Sequence, residues 1–380
     1  MHRQEFPLLS PSIGSQKTLV AFCYGPENAE RKVYIQASLH AEELPGMLVA
    51  HHLKTLLAQA HTDGRLQARV VLVPVANPMG LAQRAYHHAQ GRFELDTAEN
   101  FNRHYPDLAA AVYPMVRNQL GQDPQHNTAR IRQATAQWLA HWAPTTELES
   151  LRKTLLSLAH DADWVLDLHC DCESVMHLYC EVPCWPAFEP LAARLGCQAV
   201  LLAQDSGGGP FDERLSGQWW QLQAMAQRDG IACTIAQGCA STTVELRGEA
   251  DVSHRWAAHD ARAIVDYLVD IGALRADPLA HPALPPVACR PTPLAGSQTL
   301  SSPVPGVLVF VRELGEIIAV GDVVAEVIDP TTDTSRVHAV RAEVAGVFYA
   351  RVNERYVHAG GEVGKIAGSQ PFRSGPLLGA

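Results

Sequence analysis

The chain has 380 residues, and 47% of them are hydrophobic, which is enough to fill the core of one large domain and a smaller one. This composition excludes an intrinsically disordered protein. The net charge is -10, from 30 basic and 40 acidic residues, and no run of basic residues stands out. We therefore expect no nucleic-acid partner and interpret the chain as one that binds small molecules.

The sequence also lacks the marks of a membrane or secreted protein. Residues 1–18 contain no basic stretch followed by an apolar one, and no apolar run approaches the ~18 residues that span a bilayer. We predict a cytoplasmic protein without membrane contact, with its nine cysteines as reduced thiols. Cys170, Cys172, Cys180 and Cys184 leave open a structural zinc site, although their spacings differ from those of the usual zinc-knuckle pairs.

Two kinds of segment alternate along the chain. Helical patterns are clearest at residues 129–142 and 147–160. The alternation predicts an α/β sheet with helices on both faces. The mostly helical block 106–162 is placed to pack beside a site or to carry a homo-oligomer contact. Strand-like apolar runs lie at residues 19–22, 33–35, 70–75, 164–168 and 233–235.

The first chemically suggestive pair is His40 and Glu43. Residues 32–39 are rich in β-branched and aromatic side chains and predict a strand that runs straight into His40, while residues 44–53 predict a turn that opens a helix. At such a strand exit, a spacing of three residues can direct both side chains to one point. His2 and Glu5 have the same spacing but lie in a stretch without this scaffold.

A third candidate ligand, His169, ends the apolar run 164–168. Ligands of open α/β sheets bind in the crevice beyond the carboxyl ends of the strands, where His40 would lie as well. His177 and Glu173 are nearby rivals, and Asp167 shares a strand face with His169 and is placed to orient it.

Glu245 lies in the strand-like segment 242–246, where alternation turns its side chain away from Val244 and Leu246. Three ligands from His40, Glu43 and His169 would leave the fourth position of zinc open for water, as in catalytic sites. Glu245 would then be the spare carboxylate that accepts the proton of that water, as a general base.

The order and spacing of these residues resemble the zinc carboxypeptidase clan, and within it the succinylglutamate desuccinylase/aspartoacylase family, over residues 32–252 and again in the C-terminal tail. The resemblance implies a zinc-carboxypeptidase-like mixed sheet flanked by helices, with one zinc per chain. It also implies a C-terminal β domain that narrows access to the site.

Asn102 and Arg103 resemble the clamp with which this family holds a substrate carboxylate, a task suited to the planar guanidinium fork. Arg92 is our candidate for stabilising the oxyanion, in competition with Arg84 and Arg247. The arginine that aspartoacylases carry shortly before the catalytic Glu has no counterpart between residues 231 and 243, which counts against aspartate as the substrate.

Several family members use a tyrosine near the site. Tyr356 is a candidate for that role, and Tyr86 and Tyr105 are the alternatives. The sequence alone does not choose among the three.

The C-terminal part has its own organisation. Residues 277–305 are proline-rich and predict a semi-rigid linker between a hydrolase domain at 1–276 and a β domain at 306–370. That β domain resembles the lipoyl/biotinyl carrier fold, but the turn between its halves, residues 329–336, has no lysine to modify. An internal repeat with an offset of 40 residues pairs Gly306/Gly346, Val307/Val347, Ile317/Val357, Ala319/Ala359, Gly321/Gly361 and Val323/Val363.

These features predict a zinc-dependent hydrolase that cleaves the amide bond of a small N-acyl amino acid or a related carboxylate-bearing amide. A metallocarboxypeptidase that acts on short peptides would use the same residues and a longer cleft. A non-catalytic binding or carrier protein is the alternative from another class, suggested by the lipoyl-like tail alone.

Overall fold

The computed structural model describes residues 1–277, 281–332 and 336–378. Parts of the predicted linker and of the turn between the repeat halves, residues 278–280 and 333–335, lie outside the described residues. The strands before the C-terminal module are β1 (His2–Pro7), β2 (Thr18–Tyr24), β3 (Lys32–Ala37), β4 (Arg69–Val73), β5 (Arg84–Ala85), β6 (His88–Ala89), β7 (Trp164–Asp171), β8 (Glu173–Ser174), β9 (Met176–Glu181), β10 (Ala199–Ala203), β11 (Ala240–Gly248) and β12 (Thr292–Pro293).

Nine of these strands form one mixed sheet in the order β1-β2-β4-β3-β7-β11-β9-β10-β12. The central strands β4, β3, β7 and β11 are parallel, whereas β9 runs antiparallel to β11 and β2 antiparallel to β4. The carboxyl ends of β3, β7 and β11 therefore meet at one edge, as the prediction of an α/β sheet requires.

The predicted strand at residues 233–235 is wrong. The backbone N–H of Thr234 donates to the carbonyl oxygen of Gly121, and that of Ile235 donates to the Gln223 side chain, so this segment joins no ladder. β3 and β11 already occupy both edges of β7, and β7 and β9 occupy both edges of β11, which leaves no central position for another strand.

Helices cover both faces of the sheet, as predicted. One face packs on α1, α6 and α8, and the opposite face packs on α3, α4, α5 and α7. In the described part of the chain, no helix combines the length and the apolar character needed to cross a membrane. The helices are α1 (Pro45–Thr62), α2 (Pro78–Ala82), α3 (Leu108–Val116), α4 (Pro124–His141), α5 (Glu147–Ala159), α6 (Trp185–Leu195), α7 (Phe211–Arg228) and α8 (His254–Asp270).

A C-terminal module consists of two four-stranded sheets in the orders β13-β20-β18-β15 and β17-β16-β14-β19. Its core is formed by apolar side chains from both sheets. The strands are β13 (Ser297–Ser301), β14 (Gly306–Phe310), β15 (Ile317–Ile318), β16 (Val323–Ile328), β17 (Val337–Arg341), β18 (Gly346–Arg351), β19 (Tyr356–Val357) and β20 (Glu362–Gly368).

The 40-residue repeat maps strand onto strand in this module. β13 to β16 correspond to β17 to β20, and this exchange converts the order of one sheet into that of the other. The repeat thus describes a pseudo-twofold arrangement. β12 and β13 lie within the segment predicted as a linker. β12 pairs with β10 of the main sheet and β13 pairs with β20 of the module, so this part of the segment forms strands.

The module is attached to the end of β7 in the main sheet and to β8, the short strand that follows β7. β18 pairs with β8, and Arg351 and Arg355 both form ion pairs with Glu173. Lys365 on β20 forms a further ion pair with Asp171 at the end of β7, with 2.8 Å between Nζ and Oδ2. These contacts place one edge of the module over the carboxyl end of β7.

Candidate active site

The site is built on the connection between β3 and α1. β3 ends at Ala37, and Ser38 adopts a φ of 66°, a left-handed conformation that costs a non-glycine residue energy and turns the chain sharply. α1 begins at Pro45, and the next residue, Gly46, lies against β7, because a Cβ there would stand 3.0 Å from the Leu168 carbonyl oxygen. This close approach brings residues 38–44 to the end of β7.

Two neighbouring residues hold that connection in place. The Asn77 side chain donates a hydrogen bond of 2.9 Å to the carbonyl oxygen of Leu39. The backbone of Gly91 accepts from Ala41 N–H at 3.0 Å and donates to the Glu42 carboxylate at 2.7 Å. Only glycine fits at position 91, because a Cβ would lie 2.3 Å from the Glu42 backbone nitrogen.

The structure brings His40, Glu43 and His169 together. Their candidate ligand atoms all lie within 4.8 Å of one another, and the three residues are 4%, 3% and 3% exposed. Glu43 lies between the imidazoles, with Oε1 2.9 Å from His40 Nδ1 and Oε2 2.7 Å from His169 Nδ1. Both histidines thus present Nδ1 to a common point.

The far side of each imidazole faces an acceptor. His40 Nε2 lies 2.9 Å from Asn100 Oδ1, and His169 Nε2 lies 3.1 Å from Asp167 Oδ2. An acceptor of this kind, as Asn100 is for His40, can bind the proton on Nε2 and leave the Nδ1 lone pair for a metal, the pattern found around metal-binding histidines. Two imidazole nitrogens and one carboxylate suit a metal such as zinc, so the residues fit the ion that the sequence implies.

The charges within this group favour an ionised Glu43. Burial disfavours the carboxylate, but His169 and His40 outweigh burial and hold the pKa of Glu43 well below its usual range. Burial, helped by the neighbouring Arg92 guanidinium, lowers the pKa of His40 to about 4, which keeps this imidazole neutral. An anionic carboxylate and a neutral imidazole are the forms that bind a metal.

A cavity opens beside these three residues. It follows the sheet face formed by the odd-numbered residues of β7, β11, β9 and β10. Glu245 lines it from β11 and lies opposite His169 in the ladder with β7. Burial, together with repulsion from Glu43, raises the pKa of Glu245 to about 8.

Arg92 reaches the same cavity from the segment after Gly91. Its Nη1 lies 3.3 Å from Glu43 Oε1 and 3.3 Å from His40 Nδ1, while its side chain remains 41% exposed. Its competitors lie elsewhere: Arg84 bonds the His87 carbonyl oxygen on the surface, and Arg247 forms an ion pair with Asp260 and stacks on Trp256.

Asn102 and Arg103 also line the cavity. The Asn102 Oδ1 accepts a hydrogen bond of 2.9 Å from the Phe211 N–H at the start of α7, and its Nδ2 lies 3.5 Å from His169 Nε2. The Arg103 Nη1 donates to the Asn102 carbonyl oxygen at 2.7 Å. The stem of Arg103 packs under Gly208, where a Cβ would come within 2.7 Å of Arg103 Cδ.

The rival ligands and the candidate tyrosines are not among the residues that line this cavity. His177 bonds the Val175 carbonyl oxygen through Nδ1, and Glu173 pairs with arginines of the C-terminal module. Tyr356 and Tyr86 are exposed, and Tyr105 is buried against Phe211.

The cysteine cluster does not assemble in the part of the chain that the structure describes. There, the group formed by His40, Glu43 and His169 is the one set of potential ligands found close together. β7 carries Cys170 and β9 carries Cys180, and these two strands are separated by β11.

Sequence reasoning missed several residues of the cavity wall. These are Tyr179, Glu181, Asp212, Glu213 and Lys365. Tyr179 and Glu181 alternate on β9, so their common face was detectable once that strand was assigned. Lys365 also left a signal, because its counterpart in the 40-residue repeat is the buried Ala325, and a lysine at such a position breaks the pattern.

The chain is similar in sequence and in fold to known proteins. Residues 29–268 match the model of the succinylglutamate desuccinylase/aspartoacylase catalytic domain. The chain belongs to this family of deacylases. The curated proteins that were compared include no match to the chain.

Solved structures show the same fold over almost the whole chain. A protein from Shewanella frigidimarina NCIMB 400, named for both enzymes of the family, is 24% identical, with 97% of each chain covered and a TM-score of 0.81. A family protein from Shewanella amazonensis SB2B is 25% identical, with 97% of this chain and 98% of that chain covered and a TM-score of 0.79. The ectoine utilization protein EutE (DoeB) from Ruegeria pomeroyi is 16% identical, with coverages of 96% and 94% and a TM-score of 0.64.

Proposed function

We propose that the protein is a zinc-dependent hydrolase that removes the acyl group from a small N-acyl amino acid or a related carboxylate-bearing amide. The observation that carries the proposal is the placement of Glu245 in the same cavity as the potential ligands His40, Glu43 and His169. Zinc, when bound, polarises the scissile carbonyl and lowers the pKa of water. The remaining chemistry falls to the residues of the chain.

Glu245 acts as the general base in this proposal. Its carboxylate faces the cavity, and a pKa raised to about 8 by burial and by Glu43 places its proton exchange near neutral pH before a metal binds. It accepts the proton of the attacking water and returns this proton to the leaving nitrogen. A general base contributes typically ~10²–10⁴ in rate.

Arg92 and Arg103 divide the handling of negative charge. Arg92 lies beside Glu43 with part of its guanidinium open to the cavity, where it can stabilise the charge that develops on the scissile carbonyl oxygen. Arg103, supported by Asn102, lies further along the cavity wall and binds the carboxylate of the substrate. This separation lets one substrate contact both arginines.

The extent of the cavity favours a deacylase over a carboxypeptidase. Lys365 of the C-terminal module, Leu294 and Leu378 form part of its wall, so the space suits a small molecule better than a peptide chain. A carrier role is also disfavoured, since Lys365 forms an ion pair with Asp171 and is not presented on an exposed turn.

The test is a screen of zinc-loaded protein against N-acetyl, N-succinyl and N-formyl amino acids beside dipeptides, with Glu245→Gln in parallel. Glu245→Gln should retain the metal and lose ~10²–10⁴ in kcat, because the substitution removes only the proton acceptor. Glu189→Gln, on the exposed side of α6, is the matched control and should remain fully active. Unchanged turnover in Glu245→Gln would exclude Glu245 as the base.

A further inference from the structure

The end of the cavity that is remote from His40 is acidic. Glu181 at the end of β9 and Asp212 and Glu213 in the first turn of α7 all line it. Glu181 is 3% exposed and Asp212 is 6% exposed. We call these three residues the acidic wall. The mechanism proposed above uses none of them.

Glu181 is the residue of the acidic wall that lacks a hydrogen bond to one of its carboxylate oxygens. Its Oε1 accepts a hydrogen bond of 3.0 Å from Trp220 Nε1, but its Oε2 is buried and has no hydrogen-bond partner. A buried carboxylate oxygen without a partner is costly and therefore rare in folded proteins. Because Glu181 lines the cavity, a ligand in the cavity can supply the missing donor.

The rest of the acidic wall is bonded to neutral donors. Asp212 Oδ2 accepts from the Thr243 hydroxyl at 3.0 Å, and the two carboxylate oxygens of Glu213 accept from Ser206 N–H at 3.1 Å. Asp212 and Glu213 also interact electrostatically with Arg103, which lines the same cavity. Within the wall, Glu181 is thus the residue left with a buried oxygen that has no hydrogen-bond partner.

Burial raises the pKa of Glu181 to about 8 and that of Glu213 to about 7, and their acidic neighbours add to the effect. The protein thus contains carboxyl groups that a cation in the cavity would convert to the ionised form. A cationic ligand would gain a charge-assisted hydrogen bond of the strong kind, because the site is largely shielded from water.

The ladder between β9 and β11 sets the scale of the ligand. Cys180 lies opposite Thr242, so Glu181 lies at the level of Ser241, four residues before Glu245. Four residues of a strand span about 13 Å at roughly 3.3 Å per residue. That length accommodates an amino acid with a long side chain between the reacting end and the acidic wall.

We propose that the acidic wall binds a cationic group of the substrate, so that the preferred substrate is an N-acyl amino acid with a basic side chain. The inference rests on the proposed deacylase function and names its substrate class. The substrate carboxylate would bind Arg103, and the side-chain ammonium or guanidinium would bind Glu181.

Two substrates of nearly equal shape test the proposal. The kcat/KM of zinc-loaded protein for N-acetyl-L-lysine should exceed that for N-acetyl-L-norleucine, which lacks the ammonium, by at least about 30-fold, the effect of removing one partner of a buried charge pair. Glu181→Gln should reduce this ratio to a few-fold, mainly through a higher KM for the lysine derivative. Glu189→Gln should keep the full ratio.

A binding measurement separates this inference from the function on which it rests. L-lysine and L-norleucine, as product-like probes, are titrated into zinc-loaded protein by calorimetry, and L-lysine should bind more tightly in a manner that Glu181→Gln abolishes. Selective binding without any deacylation would support the acidic wall as a cation-binding site and overturn the proposed function. Deacylation without preference for the cationic substrate, or a preference that survives in Glu181→Gln, would overturn the proposal that the acidic wall binds a cation.

Discussion

Glu181→Gln should stabilise the ligand-free protein, and by more at high pH than at low pH. An acid whose pKa is raised from 4.5 to about 8 on folding stays protonated in the folded state while the unfolded chain already ionises. The folded state therefore carries almost no penalty below pH 4.5, a penalty that grows between pH 4.5 and about pH 8, and a constant penalty above that range. Glutamine remains neutral at every pH and escapes this penalty.

The magnitude follows from the pKa difference. Each pKa unit corresponds to about 1.36 kcal/mol, so the rise from 4.5 to about 8 sets an upper limit of about 5 kcal/mol above pH 8. Entry of water into the cavity reduces this limit, and we expect about 2–5 kcal/mol at pH 9 and less than about 1 kcal/mol at pH 5. At about 2 °C per kcal/mol for a chain of this size, the melting temperature should rise by roughly 4–10 °C at pH 9.

Thermal unfolding of metal-free protein, followed by circular dichroism at pH 5 and pH 9, measures the effect. Glu189→Gln controls for the loss of an exposed carboxylate and should leave the melting temperature unchanged at both values. A shift for Glu181→Gln that is equal at pH 5 and pH 9 would refute the reasoning, as would a loss of stability at pH 9. Saturating L-lysine at pH 9 should reduce the difference in melting temperature between Glu181→Gln and the unmutated protein, because only ionised Glu181 can pair with the ammonium.

Three further substitutions address the metal, the substrate carboxylate and the C-terminal module. His169→Ala should abolish tight zinc binding, as measured by elemental analysis, because it removes one of three ligands. Arg103→Ala should lower kcat/KM on free-acid substrates by the equivalent of roughly 2–5 kcal/mol. In the same assay the variant should barely distinguish an acid from its ester, because the substitution and the esterification remove the same pairing of Arg103 with the substrate carboxylate. Lys365→Met should destabilise the fold by about 2–3 kcal/mol, because Asp171 loses its partner at a site where the two side chains are 24% and 19% exposed. Combination with Asp171→Asn should restore part of that loss in urea denaturation.

The group of potential metal ligands could be predicted from the sequence, because local rules specify it. A strand that ends at His40 and a second strand that ends next to His169 place their carboxyl ends at one sheet edge, provided that the two strands are parallel neighbours. β3 and β7 are such neighbours, so the convergence follows from topology. The prediction needed no knowledge of which helices cover the site.

The acidic wall could not be anticipated in the same way. Glu181, Asp212 and Glu213 come from a strand end and a helix start that are about 30 residues apart, with no motif that links them. Acidic residues in the first turn of a helix are common for electrostatic reasons alone, which hides any second role. The distinguishing fact, the unpartnered Oε2 of Glu181, belongs to tertiary packing.

The repeat in the β module is only partly visible in the sequence. Matching residues revealed six pairs between residues 306 and 363. β13 and β17 obey the same offset of 40 but share no residues that reveal it, because the first begins Ser297-Gln298 and the second Val337-His338. Structural equivalence therefore extends further than the sequence pattern.

Both parts of the chain contribute to the wall of the cavity. The family match ends at residue 268, and the potential metal ligands and Glu245 all lie within it. Lys365 lies outside it, yet the Lys365 ammonium lines the cavity and pairs with Asp171, two residues beyond His169. Because β20 is held by the core of the module, and the module is held by β18 on β8, a change in the module can move a charge at the cavity wall without touching the ligands. Under the function proposed above, a change in the module would therefore alter which amide fits the cavity and leave the hydrolytic residues in place.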